Sequence, residues 1–109
     1  MTFVPYRALT RELLHPSGEK DILFPCIREV IEQSSPKRWS NSVIDDSLIC
    51  RLNAGDLWLE FRQAPEGTSL DIYKSKRPVG YYDPAARPVL RILGSQVEAW
   101  YTMALYKLI

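Results

Sequence analysis

The sequence predicts an α+β fold: a three-stranded antiparallel meander with an amphipathic helix before it and a long helix after it, both packed on one face. Three observations carry this. Apolar residues recur at helical spacing up to residue 34, alternate strictly from residue 47 to residue 73, and return to helical spacing after residue 88.

The chain opens with Phe3, Val4, Tyr6, Leu9, Leu13 and Leu14, which predict a short helix from about Tyr6 to Leu14 closed by His15-Pro16-Ser17-Gly18. Residues 1–18 therefore read as an N-terminal arm and residues 19–109 as the helix–strands–helix core of one domain. In the first core helix, Ile22, Cys26 and Val30 are spaced by four, as are Leu23, Ile27 and Ile31. Asp21 is the expected N-cap, Pro25 is expected in the first turn, and Ser34-Ser35-Pro36 ends the helix. The stretch from Lys37 to Asp46 lacks a period and reads as a connection.

Leu48, Cys50 and Leu52 then alternate with Ile49 and Arg51. Leu57, Leu59 and Phe61 alternate with Trp58, Glu60 and Arg62. Leu70 and Ile72 alternate with Asp71 and Tyr73. Four-residue loops at 53–56 and 64–67 carry Asn, Gly and Pro turn chemistry. The first loop would pair Leu52 with Leu57, Cys50 with Leu59 and Leu48 with Phe61; the second would pair Phe61 with Leu70 and Leu59 with Ile72. Both turns give one continuous apolar face. Val79 to Tyr82 is a candidate fourth strand. A long helix is expected from near Pro88, with Val89, Leu93, Val97, Trp100, Ala104 and Leu108 as its main stripe.

The length of 109 residues suits one domain, and 46% hydrophobic with 25% charged residues is an ordinary globular composition, which argues against disorder. No apolar run reaches the roughly 18 to 20 residues that span a bilayer, and the first residues lack signal-peptide character. A cytoplasmic protein with no membrane partner is the expectation. Cys26 and Cys50 are expected as buried thiols, with no metal spacing and no cofactor motif.

A net charge of +1 argues against a general electrostatic grip on nucleic acid. The sole histidine, His15, has no nucleophile beside it in the sequence. Asp45-Asp46, Glu60-Phe61-Arg62 and Asp71 form a pattern that resembles the acidic core of restriction-type nucleases, with Arg62 where those have lysine. The order helix, three strands, helix is similar to that of double-stranded RNA-binding domains. Their lysine signature is replaced here by Asp83-Pro84-Ala85-Ala86-Arg87-Pro88, so the likeness ends at element order.

These exclusions lead to a non-enzymatic protein-interaction module, an accessory or regulatory subunit. Its expected partner-binding residues are Arg51, Trp58, Arg62 and Tyr73 on the second sheet face, types enriched at binding hot spots. The same face could instead be a minor core under Phe3, Tyr6 and Leu9, or a homodimer seam. The alternative function is nucleic-acid binding through Lys74, Lys76, Arg77, Arg87 and Arg91. Lys37-Arg38-Trp39 adds a basic–aromatic triplet. Tyr106 and Ile109 lie off the last helix's stripe and are candidates for a subunit contact.

Overall fold

The computed structural model describes residue 9, residues 20–74 and residues 85–108 of the chain. The fold is α+β. Helix α1 (Lys20–Gln33) leads through a 3-10 turn (Pro36–Arg38) into strands β1 (Trp39–Ile44), β2 (Ser47–Ala54), β3 (Leu57–Ala64), β4 (Gly67–Lys74) and β5 (Leu90–Leu93), and helix α2 (Ser95–Leu108) follows. The five strands form one antiparallel sheet in sequence order.

Ile27, Val30 and Ile31 of α1 are buried as the stripe requires. The helix includes Lys20, however, so Asp21 lies inside it and Pro25 falls beyond the first turn. Proline has no N–H to return to the carbonyl four residues earlier, that of Asp21. At the other end the Ser34 hydroxyl donates to the Ile31 carbonyl at 2.6 Å and accepts from Trp39 Nε1 at 2.7 Å. Lys107 Nζ adds donations to the carbonyls of Glu32 and Ser34, a cation at a helix C-terminus.

The sheet is larger than the periodicity predicts. Residues 39–44, expected as connection, form β1; only Trp39 on this strand is buried, so no alternation of apolar residues marks it. Residues 90–93, expected as helix, form β5, with Leu90 opposite Ile72 and Ile92 opposite Leu70. Gly94 separates β5 from α2 with φ +115°, a conformation open to glycine. Val89 and Leu93, expected on the helix stripe, are exposed, whereas Val97, Trp100 and Ala104 are buried. The proposed strand at Val79–Tyr82 lies outside the described residues.

Register at the second hairpin is as expected, with Phe61 opposite Leu70 and Leu59 opposite Ile72. At the first hairpin it differs by two residues: Leu52 faces Leu59, Cys50 faces Phe61 and Leu48 faces Gln63. The connection is the two-residue turn Gly55-Asp56, with Gly55 at φ +69°, so Asn53 and Ala54 continue the strand. A shift of two preserves the faces, and the apolar side is unchanged.

That side forms the core. Cys50, Leu52, Leu59, Phe61, Leu70, Ile72 and Ile92 pack with Ile27, Val30 and Ile31 of α1 and with Val97, Trp100, Tyr101 and Ala104 of α2. Leu9 belongs to this cluster rather than to a minor core on the other face. Phe24 meets Trp100 edge to face at 5.0 Å, and Trp39 stacks with Phe61 at 6.3 Å. Among the described residues, no helix is long and apolar enough to cross a membrane.

Candidate functional site

The helices cover one face of the sheet and direct attention to the other. Cross-strand register arranges that second face in ranks. The central rank runs Ser40, Arg51, Glu60, Asp71, Arg91, one residue from each strand. Toward the β3–β4 turn lies the rank Ser42, Ile49, Arg62, Ser69, Leu93. On the opposite side Trp58 and Tyr73 stand directly opposite each other, beside Asn53.

The four charges of the central rank run plus, minus, minus, plus, and its contacts follow that order. Arg51 Nε donates to Glu60 Oε1 at 3.0 Å, and Arg51 Nη2 donates to Ser42 Oγ at 3.1 Å. The Tyr73 hydroxyl donates to the second Glu60 oxygen at 3.2 Å. Arg91 grips Asp71 with two hydrogen bonds, Nε to Oδ1 at 2.7 Å and Nη2 to Oδ2 at 3.0 Å. Bidentate, charge-assisted pairs of this kind fix geometry as well as charge. Trp58 and Tyr73 stack at 4.6 Å, and the Arg51 guanidinium carbon lies 6.0 Å from the Trp58 ring centroid.

Burial divides the face. Arg51 is 5% exposed, Trp58 4%, Glu60 3%, Asp71 4% and Tyr73 9%. Burial raises the Tyr73 phenol above its ordinary value, and the neighbouring charges of Glu60 and Asp71 push it the same way. The Asp71 carboxylate holds the Arg91 guanidinium more firmly protonated, chiefly through the hydrogen bonds between them. Of the four residues expected to meet a partner, Arg51, Trp58 and Tyr73 are thus brought together but withdrawn from solvent within the chain. Arg62 is half-buried, and in the same rank, past Ser69, Leu93 is 68% exposed.

At this open end lies a surface cavity of about 630 Å³, lined by Arg62, Ser69, Arg91, Leu93, Ser95 and Glu98 among others. Arg62 forms no ion pair among the described residues. Periodicity alone does not mark Arg91 or Leu93 as part of this face, because Val89 and Leu93 fall at helical spacing from Val97. The alternation of Leu90 and Ile92 with Arg91 and Leu93 is the signal that places them.

The basic set is not gathered in one place. Lys74 shares its rank with Leu57 on the helix-covered side, whereas Arg91 is on the opposite face and engaged by Asp71. Arg87 is exposed before β5; Lys76 and Arg77 lie outside the described residues, as does His15. The acidic pattern is dispersed too. Asp45 and Asp46 form the β1–β2 turn, while Glu60 and Asp71 sit mid-sheet bound to arginines. Among the described residues no three His, Cys, Asp or Glu side chains come together as metal ligands.

On the core side, Tyr101 reaches Gln63 Oε1 with its hydroxyl at 3.0 Å and also bonds the Cys50 thiol, whose pKa burial pushes up. Comparisons with protein-family models, curated proteins and solved structures return no match for this chain.

Proposed function

We propose that the chain is a non-enzymatic protein-interaction module, an accessory or regulatory subunit, and that its partner meets the open end of the second sheet face. The observation that carries this reading is the cavity where Arg62 and Arg91 flank the exposed Leu93. An exposed apolar side chain and the Arg62 guanidinium lining one cavity suit an extended protein segment with an acidic and an apolar residue in alternation, since arginine binds a carboxylate in paired geometry. Arg91, already engaged by Asp71, frames the cavity wall. Arg51, Glu60, Trp58 and Tyr73 act from beneath: their stacked, hydrogen-bonded ranks hold the strands that carry Arg62 and Leu93.

The test is affinity capture from the native host with the intact chain and with Arg62→Ala and Leu93→Asp. Both positions reach the surface, so folding should survive. Loss of the same captured protein in both variants supports the reading. Capture that is indifferent to both, or a salt-sensitive mobility shift with DNA or RNA in place of a protein, would overturn it.

A further inference from the structure

The sheet has two edges, and the one formed by β1 lies across the sheet from the cavity. Among the described residues β1 has a neighbour on one side only. Its sequence, Trp39-Ser40-Asn41-Ser42-Val43-Ile44, contains no charge and no proline, the usual devices that keep an edge from pairing. Asn41 is exposed and Val43 is 73% exposed.

The backbone says which groups face out. Asp45 and Asp46 have φ of 51° and 64°, and Ile44 pairs with Ser47, which defines a two-residue turn of type I′. Such a turn hydrogen-bonds its flanking pair, and alternation then turns Ile44, Ser42 and Ser40 toward β2. The N–H and C=O of Asn41 and Val43 therefore point outward. The Trp39 N–H is occupied by the Pro36 carbonyl, which leaves the Trp39 C=O as the last outward acceptor.

The charges at the two ends of this strand are opposite. Exposed Lys37 and Arg38 precede it, and exposed Asp45 and Asp46 follow it. We propose that β1 pairs antiparallel with β1 of a second copy about a two-fold axis at Asn41, joining two sheets into one. Going beyond the partner reading above, this contact is independent of the cavity. In this register Asn41 exchanges both its backbone hydrogen bonds with Asn41 of the second copy. Each Val43 N–H meets the Trp39 carbonyl across the seam, so no outward N–H lacks an acceptor. The same register brings the Lys37–Arg38 end of each β1 toward the Asp45–Asp46 end of the other. A two-fold repeats this pairing at both ends. Parity is respected as well, because antiparallel pairs share a face and a two-fold perpendicular to the sheet places both helix layers on the same side of the joined sheet.

Sedimentation velocity over a range of concentrations tests the seam with the full chain. The wild type should form a dimer, and Val43→Pro should weaken it roughly tenfold or more by removing an outward N–H from each copy. Proline is tolerated at an edge position whose N–H faces outward, so the β2 pairing should persist, checked by circular dichroism. Lys37→Glu with Arg38→Glu should also weaken the dimer by setting like charges against Asp45 and Asp46. Should Val43→Pro fail to fold, Asn41→Cys decides. Hydrogen-bonded antiparallel pairs place Cα atoms about 5.5 Å apart, within disulfide range. Mild oxidation should then yield a linked dimer, and no linked dimer would refute the register. A wild type that stays monomeric at every concentration, or a dimer unchanged in folded Val43→Pro, overturns the proposal.

Discussion

Glu60 and Asp71 stand directly opposite each other on β3 and β4, both almost wholly removed from water, and each is held by an arginine from the strand on its outer side. Two like charges facing across a ladder oppose each other. Arg51 answers one and Arg91 the other, so the rank is neutral only when all four strands are in register. The charges thereby tie the early hairpin, β2 with β3, to the late strand β5.

Removing one member leaves a buried charge without its counter-ion. Arg51→Ala should destabilise the fold by about 3 to 5 kcal/mol, the usual cost of breaking a buried pair. Arg91→Ala should cost less, because the Arg91 side chain is 61% exposed and water can take over part of its role at Asp71. Replacing Arg51, Glu60 and Tyr73 together by Met, Leu and Phe should recover most of the Arg51→Ala loss, since no polar member of that trio is then orphaned. Urea midpoints at unchanged slope measure all three.

Tyr73 supplies a pH dependence whose sign can be worked out. Its phenol is raised in the folded chain above the ordinary value of 10.0, first by burial and then by the Glu60 and Asp71 charges. Above pH 10 the unfolded chain loses that proton while the folded chain keeps it. The unfolded state then binds fewer protons, and stability falls with rising pH by up to about 1.4 kcal/mol per unit. The contribution is fully present below pH 10. Tyr73→Phe should flatten the decline in urea midpoint between about pH 10 and 11.5 without abolishing it, because Tyr101 is also raised.

The parts of this fold that periodicity reveals are those where one face of an element is buried over several residues. Leu48 through Ile72 alternate because every second residue of each strand points to the face away from the helices, and a two-residue slip at Gly55-Asp56 leaves the faces intact. β1 is illegible for the opposite reason: Trp39 alone is buried, and Ser40, Asn41 and Ser42 carry no apolar signal. β5 was obscured by coincidence, as Val89 and Leu93 stand at helical spacing from Val97 yet are solvent-exposed. On the second face, Trp58 opposite Tyr73 was readable from parity. Whether Arg51, Trp58 and Tyr73 meet a partner or are withdrawn as a minor core is left open by alternation, because burial depends on the chain's whole arrangement; the fold withdraws them.

The two thiols should differ in reactivity. Cys50 is fully buried against Tyr101 and its pKa is pushed up by that burial, so little thiolate forms and access is closed. Cys26 is only half-buried on α1. Brief treatment of the native chain with iodoacetamide at pH 8 should label Cys26 first. Cys50 should react only after denaturant is added, with peptide mass spectrometry assigning the sites. Comparable labelling of both in the native chain would mean that the Cys50–Tyr101 contact opens readily.

Gly94 decides where the sheet ends and the last helix begins. Its φ of +115° is strained for any residue with a Cβ, although a Cβ built there meets nothing within 4 Å. The cost of substitution is therefore conformational, not steric. Gly94→Ala should destabilise the fold by about 1 to 3 kcal/mol, and Gly94→Val should cost more because branching stiffens the backbone further. The direction of the rearrangement is also testable. Val89 and Leu93 already sit at helical spacing from Val97, so relief of the Gly94 strain favours winding residues 90–93 into α2. That change would withdraw Arg91 from Asp71 and Ile92 from Leu70. Hydrogen exchange at Leu90 to Leu93 and across β4 should therefore accelerate in Gly94→Ala while β2 and β3 keep their protection. If protection instead falls evenly across the sheet, Gly94 serves the fold only as a connector and does not hold β5 against the competing helix.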